Sequence, residues 1–309
     1  MERLRGIVPP LVTPLTPDGA LDVPGLERLV AHVLDGGVHG VFVLGTTGEA
    51  AGLSYALRRR MIDETARCVA GRVPVLVGVS DTAVAESVEL ARHAAAAGAS
   101  GVVVAPPYYL PPGQPELLDY FRLIVPRLPL PCVLYNMPPL TKVTIGDEVL
   151  EALAGEPGIV GIKDSSGDLS YFHAVERLAH RPDVGWSVFM GPELLLMDAV
   201  LAGGDGGVAG GANLFPRFFV RAFEAAEAGD VARCRALEAH VLEIRELYAV
   251  GQHASAVIKG LKSGLEALGI CGPDLAEPFR RFDEAERRRV AALVEALAPL
   301  DRSGAASDG

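Results

Sequence analysis

The sequence predicts an α/β fold, a (β/α)₈ TIM barrel with a C-terminal three-helix extension, and three observations lead to this fold class. Short apolar runs alternate with helical patterns eight times before about residue 230. The runs are continuously apolar, as parallel strands are when helices cover both faces of their sheet. Several helical patterns end on glycine, the favoured residue at that position. Eight consecutive units close most simply into a barrel, and an open doubly wound sheet is the alternative.

The predicted elements follow one another in strict strand–helix order. The strands cover residues 6–15, 40–49, 73–80, 101–109, 131–138, 158–166, 184–192 and 206–213. The helical patterns that follow them cover residues 24–37, 54–71, 83–98, 115–128, 145–155, 170–181, 193–204 and 215–230. Glycines stand at the ends of five of these helices, at Gly36, Gly71, Gly98, Gly155 and Gly203.

The strand pattern stops near residue 230, and the remaining chain has a different organisation. We therefore expect the barrel, with its active site, to occupy residues 1–230. Residues 231–300 contain three amphipathic helical patterns and are expected to pack on the barrel, because no linker separates the two parts. Residues 301–309, DRSGAASDG, contain no large apolar side chain and are predicted to form a disordered tail.

Composition and charge narrow the class of function. The chain has 309 residues, is 50% hydrophobic and carries a net charge of −11 without a basic run, which argues against nucleic-acid binding. It lacks an apolar signal-peptide core, and no apolar run reaches the roughly 18 residues of a membrane span. Its four cysteines form no C-x-x-C pair, which indicates free thiols in a reducing compartment. We expect a cytoplasmic protein that binds no membrane.

Lys163 ends the sixth predicted strand, in a chain that has only four lysines. In barrels of this kind the active site lies at the C-terminal ends of the strands. Desolvation there disfavours the ammonium form, and a neutral amine attacks carbonyl groups to form a Schiff base. The alternative is a structural ion pair with Asp164 or Asp168.

The neighbouring strand ends supply groups that suit such an amine. Thr46 and Thr47 lie in the turn GTTGE, whose hydroxyls and amides suit a carboxylate, although a threonine cap is the alternative. Tyr135 ends the strand before Lys163, so its phenol is expected beside the amine, where it can transfer protons. A buried tyrosine with a satisfied hydroxyl is the alternative, and Tyr109 carries the same ambiguity.

Metal chemistry has weak support in the sequence. The seven histidines fall mostly in helical patterns, and none accompanies carboxylates at a strand end. The glycine-rich end of strand 8 resembles the phosphate sites of many barrels, but no basic residue accompanies it. We expect neither a metal nor another cofactor.

Four motifs occur in order along the chain: GTTGE (45–49), PPYY (106–109), YNMP (135–138) and GIKDSSGD (161–168). With them, the whole chain resembles the dihydrodipicolinate synthase/N-acetylneuraminate lyase family. The resemblance implies a pyruvate-dependent class I aldolase that assembles as a homotetramer, a dimer of dimers.

The resemblance also implies roles for the residues at the matched positions. Lys163 would form the Schiff base with pyruvate or another 2-oxo acid, and Tyr135 would act as general acid and base. Thr46 would relay protons with Tyr135, joined by Tyr109 from the neighbouring subunit.

The carboxylate of the 2-oxo acid would be held by the turn at Thr47 and by backbone groups near Val208. Gly191 and Ser165, at neighbouring strand ends, are expected to complete the substrate-binding site.

Departures from the family pattern bear on the second substrate. Leu140 stands where synthase members carry an arginine that binds a carboxylate, and a leucine cannot replace it. Lys142 could substitute as a point charge or be solvated. At the acidic pair and serine of the sialic-acid lyases, this chain has Glu193, a leucine and Gly210, so only Glu193 keeps a polar side chain.

The predicted activity is a Schiff-base lyase that cleaves or forms a 4-hydroxy-2-oxo acid from pyruvate and an aldehyde. A dehydratase of a 2-keto-3-deoxy sugar acid, with the same lysine, is the first alternative. A 4-hydroxy-tetrahydrodipicolinate synthase and a non-catalytic 2-oxo-acid binder are weaker alternatives.

Overall fold

The eight predicted strands form one parallel sheet in the computed structural model, which describes residues 3–302. The strands are β1 (Gly6–Ile7), β2 (Val41–Val43), β3 (Val75–Gly78), β4 (Gly101–Val104), β5 (Cys132–Asn136), β6 (Ile159–Asp164), β7 (Ser187–Met190) and β8 (Gly206–Gly207). From β2 to β8 each strand pairs with the next, and β8 returns to pair with β1. The predicted (β/α)₈ barrel with C-terminal helices is confirmed.

At least one helix follows each strand along the chain, and α9 follows β8, the last strand. They are α1 (Val23–Asp35), α2 (Tyr55–Val69), α3 (Val84–Ala96), α4 (Gln114–Ile124), α5 (Pro138–Thr141), α6 (Asp147–Leu153), α7 (Leu169–Ala179), α8 (Leu196–Leu201) and α9 (Pro216–Glu227). Side-chain oxygens cap the first backbone amides of several helices, for example Asp22 on α1 and Ser54 on α2. Such caps satisfy amides that have no partner within the helix. α5 is a short extra helix in the loop after β5.

The seam between β1 and β2 is the irregular part of the barrel. Pro9 and Pro10 follow β1 and have no N–H to donate to a neighbouring strand. An isolated bridge joins Pro10 to Phe42, with the Phe42 amide donating to the Pro9 carbonyl at 3.0 Å and the Leu11 amide donating to the Phe42 carbonyl at 2.8 Å. The first predicted strand, 6–15, is therefore a two-residue strand followed by a proline-rich segment.

Alternate residues along each strand face the barrel interior or the surrounding helices. On β5, Val133 and Tyr135 belong to the interior apolar cluster, whereas Leu134 packs in the larger core shared with the helices. On β6, Ile162 belongs to that outer core. The same alternation directs Lys163, the next residue, into the barrel.

Three further helices follow the barrel: α10 (Val231–Arg245), α11 (Ala256–Ala267) and α12 (Glu284–Arg302). α10 and α12 both contact α9. Near the end of α12, the buried Asp301 carboxylate accepts a hydrogen bond of 3.0 Å from the Phe218 amide. The first two residues of the predicted disordered tail are thus helical, and residues 303–309 lie outside the described part of the chain.

Candidate active site

Lys163 lies at the C-terminal end of β6, and its neighbours come from the adjacent strands. In the sheet register it pairs with Tyr135 on β5 and with Phe189 on β7. Its side chain is buried, with the residue 6% exposed. The Nζ atom lies 4.2 Å from the centroid of the Tyr135 ring and 5.1 Å from that of Phe42. Aromatic rings, rather than carboxylates, therefore border the amine.

The alternative role for this lysine, an ion pair with one of the following aspartates, is not observed. The fully buried Asp164 carboxylate accepts hydrogen bonds of 2.8 Å from Asn136 Nδ2 and 2.9 Å from Ser166 Oγ. Asp168 caps the N-terminus of α7. Among residues 3–302, no ion pair includes Lys163.

The Asp164–Asn136 contact supports this part of the barrel and was not predicted from the sequence. Asn136 also accepts a hydrogen bond of 3.0 Å from the Ile145 amide through its Oδ1 atom, so its side chain joins β5, β6 and the following loop. The two residues directly follow Tyr135 and Lys163 on their strands and, by the alternation of strand residues, face outward. The only signal in the sequence was the polar residue after each predicted site residue.

Tyr135 connects the lysine to the turn after β2. Its hydroxyl lies 3.4 Å from Thr46 Oγ1, and the Thr46 side chain is exposed at the barrel mouth. Burial by itself would raise the pKa of the phenol. The positive charge of Lys163 and hydrogen bonds with Thr46 and Ser165 outweigh burial, so the pKa of Tyr135 is lowered.

The turn GTTGE has the free donors that carboxylate binding requires. Within residues 3–302 the backbone amides of Thr46 and Thr47 donate to no protein acceptor. Thr47 is half-buried beside the exposed Thr46. The segment after β1 also holds the turn, because Thr13 Oγ1 donates a hydrogen bond of 2.7 Å to the Gly48 carbonyl. The two amides are therefore available to a ligand, and the binding role of the two threonines stays a prediction.

Ser165 and Gly191 meet at the ends of β6 and β7. The Ser165 amide donates to the Asn136 carbonyl at 2.8 Å, and the Gly191 amide donates to the Asp164 carbonyl at 2.7 Å. A Cβ atom at position 191 would lie 2.0 Å from Ser165 Oγ. A side chain at position 191 would therefore displace the Ser165 hydroxyl. Val208, another predicted site residue, is buried in the interior cluster beneath the mouth.

Glu193 lies in a short turn between β7 and α8, and its carboxylate is already engaged. Its Oε1 atom accepts hydrogen bonds of 2.6 Å from the Gly211 amide and 3.0 Å from the Tyr248 hydroxyl. Its Oε2 atom is buried and has no hydrogen-bond partner among the described residues. Burial raises the pKa of the Glu193 carboxyl, and the two donors partly offset this effect. Tyr248, on the segment after α10, was not predicted as a neighbour.

The loop after β5 carries Leu140 and Lys142, the two residues that the sequence analysis connects with the second substrate, and their side chains have different surroundings. Leu140 is 45% exposed on α5. The Lys142 Nζ donates a hydrogen bond of 2.6 Å to the Pro139 carbonyl, and the Lys142 backbone has a φ of 61°. The ammonium group thus binds a carbonyl of its own short helix, in the manner of a helix cap.

Tyr109 is not brought to the other site residues within one chain. It is 89% exposed, and the adjacent Leu110 is 82% exposed.

Within residues 3–302, no group of three or more histidine, cysteine, aspartate or glutamate side chains could hold a metal ion. None of the helices in that part of the chain is long and apolar enough to cross a membrane.

This chain is similar in structure to solved proteins whose names place them among dihydrodipicolinate synthases and their relatives. A dihydrodipicolinate synthase from Bacteroides thetaiotaomicron is 47% identical, with a TM-score of 0.91 over 95% of this chain and 99% of its own. YagE of Escherichia coli K12, a prophage protein of the dihydrodipicolinic acid synthase family solved in complex with pyruvate, is 30% identical. Its TM-score is 0.89, over 95% of this chain and 98% of its own.

Sequence comparison gives the same result. YjhH of Escherichia coli K12, named a probable 2-dehydro-3-deoxy-D-pentonate aldolase, is 34% identical over 280 residues, which are 90% of this chain and 93% of YjhH. The model of the dihydrodipicolinate synthetase family matches residues 3–297, nearly the whole chain. The family predicted from the four motifs is confirmed: this chain belongs to the dihydrodipicolinate synthetase family.

Proposed function

We propose that this protein is an aldolase that forms or cleaves a 4-hydroxy-2-oxo acid through a Schiff base between Lys163 and pyruvate. The observation that carries the proposal is the buried Lys163 amine, which has no carboxylate partner and lies 4.2 Å from the Tyr135 ring. The pyruvate complex of YagE and the aldolase name of YjhH support the same chemistry.

The reaction begins when the neutral Lys163 amine attacks C2 of pyruvate. Loss of the carbonyl oxygen as water gives an iminium, and removal of a C3 proton turns it into an enamine. In the synthetic direction, C3 then attacks the aldehyde carbon while the aldehyde oxygen receives a proton. Water finally hydrolyses the iminium and releases the 4-hydroxy-2-oxo acid and the free amine.

Tyr135 is the proposed proton carrier for these steps. Its lowered pKa brings the phenol nearer to the range in which a group can both accept and donate protons. Thr46, at 3.4 Å, extends the relay toward the barrel mouth. The free amides and the hydroxyl at Thr47 bind the pyruvate carboxylate, and Ser165, Gly191 and Val208 border the same space.

The second substrate is proposed to be an aldehyde without a carboxylate. The exposed Leu140 offers no positive charge, and Lys142 is bound to its own helix. Glu193 is the polar side chain with an unpartnered, buried carboxylate oxygen that a substrate hydroxyl could satisfy. A sugar-derived aldehyde has hydroxyl groups but no carboxylate, so it suits this site. The name of YjhH, a probable aldolase of a deoxy sugar acid, supports the same choice.

A 4-hydroxy-tetrahydrodipicolinate synthase is the second candidate function. The 47% identity to a structure named dihydrodipicolinate synthase favours it. Leu140 argues against it, because the site lacks the arginine that binds the second substrate's carboxylate in synthase members. The dehydratase alternative uses the same lysine and tyrosine, and analysis of the products separates it from the aldolase.

We further propose that the protein works as a homotetramer in the cytoplasm without a metal or other cofactor. The exposed Tyr109 and Leu110 side chains are the surface that a second copy would cover, which would also bring Tyr109 to the neighbouring site. Chelators should leave the activity unchanged. Light scattering should give a mass four times that of the chain, and a Leu110→Asp variant should give a smaller species.

The Schiff base is tested by borohydride reduction in the presence of pyruvate, followed by intact-mass and peptide analysis. One reduced pyruvate adduct should appear per chain, on Lys163, and should be absent from Lys163→Met. Lys259→Met is the matched control, because Lys259 Nζ also faces an aromatic ring, that of Phe282 at 5.6 Å, but lies in the C-terminal helices. Unmodified protein after this treatment would refute the proposal.

A further inference from the structure

A buried ion pair joins the turn GTTGE to the C-terminal helices. Glu49, the last residue of the turn, and Lys262, on α11, have almost no exposed side-chain surface, and Lys262 Nζ lies 2.5 Å from Glu49 Oε1. The other carboxylate oxygen, Oε2, accepts a hydrogen bond of 2.8 Å from the Ala276 amide. Lys262 Nζ also donates to the Asp274 carbonyl at 2.6 Å. Every partner of the Glu49 carboxylate thus comes from beyond the barrel.

The backbone at Glu49 is in a conformation that needs support. Its φ is 58°, and Leu44, just before the turn, has the same value. L-residues rarely adopt this left-handed conformation, and they keep it only where surrounding contacts fix it. The carboxylate contacts with Lys262 and Ala276 are side-chain contacts that support this conformation of Glu49.

Two contacts connect Glu49 to the proposed pyruvate site. The Glu49 amide donates a hydrogen bond of 3.0 Å to the Thr46 carbonyl, and Thr46 Oγ1 lies 3.4 Å from the Tyr135 hydroxyl. The Glu49 backbone is therefore hydrogen-bonded directly to Thr46, one of the two residues whose free amides face the proposed pyruvate site.

We propose that Glu49 and Lys262 are positioning residues, which hold the turn in the conformation that binds the pyruvate carboxylate. The inference rests on the Schiff-base function proposed for Lys163. It gives the C-terminal helices a role in substrate binding as well as in covering the barrel.

A contribution to stability alone would not account for such a pair. Desolvation of two buried charges largely cancels their attraction, and well-packed apolar replacements are often equally stable. Removal of one partner, by contrast, leaves an uncompensated buried charge and is strongly destabilising. The informative variant therefore removes both charges together.

The test compares the wild type with the double variant Glu49→Gln/Lys262→Met by borohydride trapping on Lys163. Trapping is measured against the concentration of pyruvate and, separately, of acetone, which forms a Schiff base but has no carboxylate. We expect the double variant to need at least about tenfold more pyruvate for half-maximal trapping, since small misplacements of binding groups have effects of this size. The acetone requirement should change less than about twofold.

Asp205→Asn is the matched control. Asp205 is also a buried, ion-paired carboxylate, contacting Arg3 at 2.8 Å, but it precedes β8 at the opposite end of the barrel. This variant should lose thermal stability without changing the ratio of the pyruvate and acetone requirements.

Four results would overturn the inference. Wild-type pyruvate dependence in the double variant would show that the pair does not position the turn. Equal losses for pyruvate and acetone, or failure of the double variant to fold, would assign the pair to folding alone. Absence of trapping in the wild type would instead refute the proposed function, and the positioning role with it.

Discussion

Lys163 and Tyr135 are direct partners in the register of β6 and β5, and the lysine Nζ lies 4.2 Å from the centroid of the tyrosine ring. Their separation is fixed by the hydrogen bonds between two parallel strands rather than by a loop. Groups mounted in this way lose little freedom when a substrate binds, so more of the binding free energy is available for the reaction.

The first prediction concerns the ionisation of Tyr135. Lys163→Met removes the positive charge that stabilises the phenolate and leaves burial, which favours the neutral phenol. The pKa of Tyr135 should therefore rise, and tyrosinate absorbance should appear at higher pH. An ultraviolet titration corrected with a Tyr135→Phe variant isolates this residue. Lys259→Met should leave the titration unchanged, and an unshifted curve in Lys163→Met would contradict the prediction.

The second prediction separates proton transfer from Schiff-base binding. Tyr135→Phe keeps the ring beside Lys163 but removes the hydroxyl that meets Thr46. We expect kcat for the aldol reaction to fall by roughly 10²–10⁴-fold, the usual contribution of a general acid–base group. Borohydride should still trap pyruvate on Lys163 to the same final extent, although the Schiff base should form more slowly. A variant with full activity would remove Tyr135 from the mechanism.

The third prediction uses the close contact between β6 and β7. Gly191→Ala places a Cβ atom 2.0 Å from the present position of Ser165 Oγ, so Ser165 must move. We expect a loss of kcat/KM of about tenfold or more, as for other small displacements in active sites. Gly113→Ala is the control, because its new Cβ would have no neighbour closer than 3.7 Å. Equal activities of the two variants would show that Ser165 has no part in the site.

The fourth prediction addresses the second substrate. Leu140 is exposed, so Leu140→Arg should fold normally and place a positive charge beside the loop after β5. A charge-assisted hydrogen bond contributes roughly 1.5–3 kcal/mol, which corresponds to about 10- to 100-fold in kcat/KM. We expect this gain for aldehydes that carry a carboxylate and none for neutral aldehydes of equal length. If the wild type already prefers the charged aldehydes, the synthase alternative is favoured.

The sequence predicted that Lys163 and Tyr135 are neighbours because they end consecutive strands, and barrels of this kind have their active sites at the C-terminal ends of the strands. It could not predict the contacts of long side chains across the chain. Glu49 meets Lys262, and Glu193 meets Tyr248, only because the C-terminal helices pack against particular strand ends. No local pattern encodes such packing.

Short loops were also difficult to predict. Lys142 could have been a substrate ligand or a solvated charge, and its actual partner is the Pro139 carbonyl of its own helix. The first strand was predicted too long, because the prediction treated the apolar run 6–15 as one strand although Pro9 and Pro10 within it have no N–H to donate to a neighbouring strand.

The proline-rich segment after β1 has a consequence for the motion of the barrel. Most neighbouring strands share continuous ladders, whereas β1 and β2 are joined through the single bridge at Pro10 and Phe42. Local opening is expected first where the fewest backbone hydrogen bonds must break. Phe42 also borders the amine of Lys163. Local opening at this seam is therefore expected to admit water beside the Lys163 amine before other parts of the barrel interior are exposed.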